Sequence, residues 1–120
     1  MRRPIARGTV GAQLLVLVTA SARAETIQIK IDKLTFVPSQ VSAHVGDTIE
    51  WVNADFLAHT ASARDGAWDV MIAPSTTASV VLKADGTVDY YCKFHPNMIG
   101  QITIAKSHNA PIVWSPGTFL

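Results

Sequence analysis

Cys92, His95 and Met98 set a thiol, an imidazole and a thioether three residues apart in the stretch Cys92-Lys93-Phe94-His95-Pro96-Asn97-Met98. Thiolate and thioether are soft donors that favour copper, and imidazole suits both of its common oxidation states. Two imidazoles and a thiolate in a trigonal arrangement, with a weak axial thioether, form the kind of site in which copper accepts and returns one electron. A further nitrogen donor must come from elsewhere. His59 is the best candidate, because it follows a strand ending at Asn53 and falls in a segment that a sandwich can bring beside Cys92.

Other chemistries fit these residues less well. A lone methionine usually packs in a core, as Met71 is expected to do, and a lone histidine is more often a surface or satisfied core residue. The register of Met98 with Cys92 and His95 sets it apart. Zinc seldom accepts a thioether, and a cysteine nucleophile would need an orienting third group and an oxyanion hole that nothing in the chain marks. A copper enzyme acting on oxygen or nitrite would need an open coordination position or a second copper. His44, beside the turn at Gly46, and His108 are expected to be solvent-exposed and too few for a second site. A protein that passes on the metal instead of the electron is the alternative, but the His- or Met-rich tracts of a scavenger are absent.

Cys92 is the only cysteine among 120 residues. No internal disulfide can form, and a free thiol outside the cytoplasm is open to oxidation unless something occupies it. Export is expected from the first residues. Arg2, Arg3 and Arg7 precede an apolar run from Val10 to Ala20, and Ala22-Arg23-Ala24 is a small-x-small cleavage pattern. Residues 1–24 therefore read as a leader to the periplasm, by the general or the twin-arginine route, and the run is well short of the roughly 20 residues that span a bilayer. The formal charge of +1 includes Arg2, Arg3, Arg7 and Arg23; without them six basic residues face nine acidic ones. No basic cluster remains, so neither nucleic acid nor an acidic membrane surface is expected as a partner. A monomer without stable membrane association is expected.

The elements around these residues read as strands. Ile27, Ile29 and Ile31 alternate with polar residues, Phe36 to Ala43 is a second strand bent at Pro38, and Thr48 to Val52 alternates again. An irregular segment is expected from Ala54 to about Trp68. Further strands follow over Thr76–Leu82, Thr87–Cys92 and Gly100–Ala105, with a turn at Lys83–Gly86. Short strands without a helical period imply an all-β fold, an antiparallel Greek-key β-sandwich over residues 25–106, with a tail of unassigned role at 107–120.

The run Val45-Gly46-Asp47-Thr48-Ile49-Glu50-Trp51-Val52-Asn53, then His59, then Gly86-Thr87-Val88-Asp89-Tyr90-Tyr91-Cys92-x-x-His95-Pro96-x-Met98-x-Gly100 resembles the amicyanin and plastocyanin group of cupredoxins. The likeness spans about Thr26 to Ala105. The resemblance implies an exported carrier of single electrons holding one type 1 copper, with His59, Cys92 and His95 as strong ligands and Met98 as the long axial one. It also implies redox partner proteins docking near His95, a backbone N–H from Thr60 to the Cys92 sulfur, and an Asn53 side chain tying its strand to the Cys92 loop. The short ligand loop is most similar to that of amicyanin, but Ala58 and Phe94 stand where that family tends to have proline. The N–H that Phe94 restores is a candidate second donor to the Cys92 sulfur.

Overall fold

The computed structural model describes residues 23–108, with four isolated positions ahead of them at 4, 8, 11 and 12. The expected leader, apart from those positions and its last two residues, and the tail beyond His108, with Trp114 and Phe119, lie outside the described residues. The described chain forms nine strands: β1 Thr26–Asp32, β2 Thr35–Val37, β3 Gln40–His44, β4 Thr48–Asn53, β5 His59–Ala63, β6 Asp69–Ile72, β7 Thr77–Val81, β8 Gly86–Cys92 and β9 His95–Ala105.

Alternation of apolar and polar residues sorts these strands into two facing sheets. One is ordered β2-β1-β4-β7 and the other β3-β9-β8-β5-β6. Inward residues of the first sheet, Ile29, Ile31, Phe36, Ile49 and Trp51, meet Ile72, Tyr90 and Ile102 of the second, and all are buried. The rings of Trp51, Trp68 and Tyr90 lie 5.2–5.6 Å apart, with Phe36 edge-on to Tyr90 at 4.7 Å. Burial pushes the Tyr90 hydroxyl up to about 12, while the Trp51 indole N–H donates to its oxygen at 3.4 Å.

The all-β sandwich agrees with the sequence reading, but its sheets are mixed. β1 pairs with β4 and β3 with β9 in parallel, while the remaining pairs are antiparallel. The reason lies at Pro38. The expected strand from Phe36 to Ala43 is two strands, β2 and β3, one in each sheet, separated at Pro38–Ser39. The chain thus crosses the sandwich there: β2 stays in a hairpin with β1, while β3 pairs in the other sheet with the distant β9, and β4 on the chain's return lies parallel to β1; parallel neighbours require such a crossover.

Two further differences bear on the site. The segment expected to be irregular contains β5, which begins at His59 and is buried at every position. Its sequence, His-Thr-Ala-Ser-Ala, carries no alternation because β5 is covered on both faces and lies between β6 and β8. β9 begins at His95 instead of Gly100, so only Lys93 and Phe94 separate it from β8, and Cys92 pairs directly with His95.

Candidate metal centre

His59 opens β5, Cys92 closes β8 and His95 opens β9, so three strand ends of one sheet carry three donors. The Cys92 sulfur lies 3.8 Å from His59 Nδ1 and 3.7 Å from His95 Nδ1. Those gaps are too long for strong hydrogen bonds. Metal–sulfur and metal–nitrogen bonds of about 2.3 and 2.0 Å at trigonal angles would hold the atoms about 3.7 Å apart, so one ion fits between them. His59 and Cys92 are fully buried, whereas His95 is partly exposed. Met98 is 3% exposed and stands three residues beyond His95 on β9. With His95, Leu34, Phe94, Pro96 and Asn97 it lines a surface depression of about 360 Å³.

The sulfur receives a backbone hydrogen bond from Thr60 N–H at 3.3 Å. Thr60 is fixed in turn. Its hydroxyl oxygen accepts the Lys93 N–H at 2.8 Å and lies 3.0 Å from the Ser62 hydroxyl, which donates to Asp69 at 2.7 Å. Since Ser62 has its proton on Asp69, the Thr60 hydroxyl donates to Ser62. The Lys93 ammonium closes the chain on Asp69, and its hydrogen bond holds that carboxyl below the usual carboxylate value. Phe94 is not among the donors to the Cys92 sulfur, so the second hydrogen bond considered for it is absent from this geometry.

His59 has its other face on a carboxylate that sequence reading missed. Asp55 Oδ2 stands 2.9 Å from His59 Nε2. An ionised carboxylate can only accept, so Nε2 carries the proton and the Nδ1 lone pair is left facing Cys92. Burial alone would raise the Asp55 carboxyl, but the N–H groups of Leu34 and Lys33 and the ring of His59 together bring it below its ordinary value. Asn53 accepts the Asp55 N–H at 2.9 Å and donates to the carbonyls of Leu57, Ile72 and Ala73 at 2.9–3.2 Å. The side chain therefore ties β4 to the loop before His59 and to the end of β6, and not to the Cys92 turn as the resemblance implied. The four-residue step from Asp55 to His59 was the legible signal, although only the fold shows that the two meet.

Met71, expected to pack inside, is 64% exposed. It sits on β6, the edge strand of its sheet, paired with Thr60.

A two-sheet sandwich that gathers thiolate and imidazoles from loop-bounded strand ends, and secures them with outer hydrogen bonds, defines a small domain built around one buried transition metal. A family model described as a cupredoxin-like domain matches residues 9–104. Amicyanin-alpha of Methylorubrum extorquens is 33% identical over 89 residues, covering 69% of this chain and 75% of that protein. Plastocyanin of Vicia faba is 34% identical over 87 residues, covering 59% and 88%. A solved structure of reduced amicyanin with proline changed to phenylalanine superposes with a TM-score of 0.58 at 27% identity, covering 66% of this chain and 81% of that one. The chain belongs to the cupredoxin family. Within it, this is a protein of amicyanin and plastocyanin type, a blue-copper electron carrier with one type 1 copper.

Proposed function

We propose that His59, Cys92, His95 and Met98 hold the copper and that electrons pass through the exposed side of His95 to redox partner proteins. The observation that carries this is the buried Cys92 sulfur set 3.7–3.8 Å from two imidazole nitrogens. Bound there, copper supplies reversible one-electron chemistry between Cu(II) and Cu(I).

The chain's own residues do the rest. Burial of Cys92, His59 and Met98 keeps water from the donors. Thr60 N–H withdraws charge from the sulfur, and Asp55 holds the His59 ring in one tautomer and orientation. Strand ends held in one hydrogen-bonded sheet, itself packed on the other, move little, so donor positions change little between oxidation states. Around His95, the exposed Leu34 and Phe94 and the neighbouring Pro96 offer an apolar rim that a partner can dry on contact. The closed thiolate site retains its ion, which favours electron carriage over handing on the metal.

Residues 1–24 act as an export leader removed after Ala24, which places the working chain in the periplasm as a monomer. Among the described residues no helix is long and apolar enough to cross a membrane.

The test is optical. The copper-loaded protein should be intensely blue and bleach reversibly with a mild reductant, while Cys92→Ser should be colourless and retain only weak copper binding through the two imidazoles. A Cys92→Ser protein that keeps the colour would remove the assignment.

A further inference from the structure

His44 and His108, expected to be separate exposed histidines, stack on one another with ring centroids 3.7 Å apart, beside the buried carboxylate of Asp47. His44 ends β3 and His108 follows β9. The cluster therefore lies at the far end of β9 from His95, about 30 Å along that strand at roughly 3.3 Å per residue.

One ligand atom from each of His44, Asp47 and His108 lies within 4.8 Å of the others. His44 Nδ1 is 3.8 Å from Asp47 Oδ2, and His108 Nε2 is 3.4 Å from Asp47 Oδ1. The two distances run to the two oxygens of one carboxylate, so both rings flank it within reach of a common ion, whose ligand atoms, bound at about 2.0–2.1 Å in a tetrahedron, would stand about 3.4 Å apart.

The cluster carries two independent marks of a ligand site. His108 Nε2 is buried yet has no hydrogen-bond partner among the described residues: despite the short approach to Asp47, its geometry is too poorly aligned for one. Asp47, only 1% exposed, accepts the backbone N–H of Glu25 and of His44 at 2.8 Å each, one on either oxygen. Ligating carboxylates are held by such outer hydrogen bonds, and each oxygen keeps a lone pair for a cation. Burial alone would raise the Asp47 carboxyl, but the hydrogen bonds from the Glu25 and His44 N–H groups oppose this, and it lies below its ordinary value.

We infer that His44, Asp47 and His108 form a second metal site, for a borderline divalent transition cation such as Zn(II), separate from the copper centre. Two imidazoles and one carboxylate are donors such ions accept, and the positions the protein leaves vacant would take water. Binding would fasten the segment after β9 to the turn between β3 and β4.

Glu25 N is an amide in the full chain. In a chain cut after Ala24 it would be an amine at the same carboxylate, and so a competing charge or an extra donor. The test therefore uses the full chain. The copper-loaded protein is titrated with Zn(II), read by calorimetry and by the ring proton resonances of His44 and His108, with the blue band recorded throughout. One Zn(II) per chain should bind, both rings should respond, and the band should not change. His44→Gln and His108→Gln should each weaken binding about tenfold or more. Neither residue belongs to the core, and an intact blue band certifies the fold of each variant. Absence of one-to-one binding, or affinity that is the same in both variants as in the parent, meaning an adventitious ion only, would overturn the site.

Discussion

At the scale of single residues, the copper centre depends on groups that never touch the metal. Asp55 decides which nitrogen of His59 is free, by accepting from the other at 2.9 Å. Asp55→Asn preserves the shape but removes the charge and leaves the tautomer unfixed. Outer partners of metal ligands are typically worth 10- to 100-fold in metal affinity, and a loss of roughly that size is expected here in competition with a chelator. Unchanged affinity would show that His59 is oriented by its strand alone. Phe94 gives the opposite expectation. Its N–H does not reach the Cys92 sulfur, so Phe94→Pro removes no donor and should leave the reduction potential where it is. What should fall is the rate with a partner, because the exposed ring belongs to the rim around His95. A drop in potential with Phe94→Pro, measured by redox titration, would reinstate the sulfur hydrogen bond.

At the scale of elements, the site is held by turns whose backbone has little choice. Lys33 and Leu34 join β1 to β2 with φ of 52° and 59°, a left-handed pair that fits a two-residue hairpin but costs a residue with a Cβ about 1 kcal/mol or more. Asp55 accepts both of their N–H groups, and thus one carboxylate holds the strained turn, the His59 ring and, through Leu34, part of the rim. On the neighbouring sheet Gly100 pairs with Tyr90, and a Cβ at Gly100 would overlap the Tyr90 ring. That ring is the hub of the aromatic core. Gly100→Ala should therefore destabilise the domain by about 1–3 kcal/mol, as overpacking does, seen as a lower denaturant midpoint. An unshifted midpoint would mean that Tyr90 can move aside at no cost.

At the scale of the whole molecule, two carboxylates, Asp47 buried and Asp55 partly buried, pin the two ends of the sandwich. Asp47 joins the start of β1 to the end of β3, and Asp55 joins the β1–β2 turn to the entry of β5. In the folded protein both titrate below the ordinary aspartate value of 3.8. The unfolded chain then binds more protons than the native one as acid is added, so stability rises with pH in that range. Their contribution is complete above about pH 5 and is lost progressively as pH falls through 3.8 toward the lower folded values. Urea midpoints followed downward from neutral pH should fall in that window, and Asp47→Asn should make the acid limb shallower while lowering the neutral plateau. An acid limb as steep in Asp47→Asn as in the parent would assign the acid sensitivity to other groups.

The donor types, their three-residue register from Cys92 to Met98, and the all-β character were determined by the sequence, because softness of donor atoms and period-two alternation are local properties. So was the candidacy of His59, although as a loop residue and not as the first residue of a covered strand. Tertiary structure decided what depends on contacts between distant segments. β5 is invisible to alternation because both its faces are covered, and the parallel pairings follow from a crossover at Pro38 whose partners lie far along the chain. Asp55 becomes a partner of His59 only when the loop from Asn53 folds back, Thr60 a donor to sulfur only when β5 lies beside β8, and His108 a neighbour of His44 only when β3 pairs with the end of β9. Each of these is a short distance across a long separation in sequence or a sharp bend of the chain, and the pattern of residue types along one strand carries no record of it.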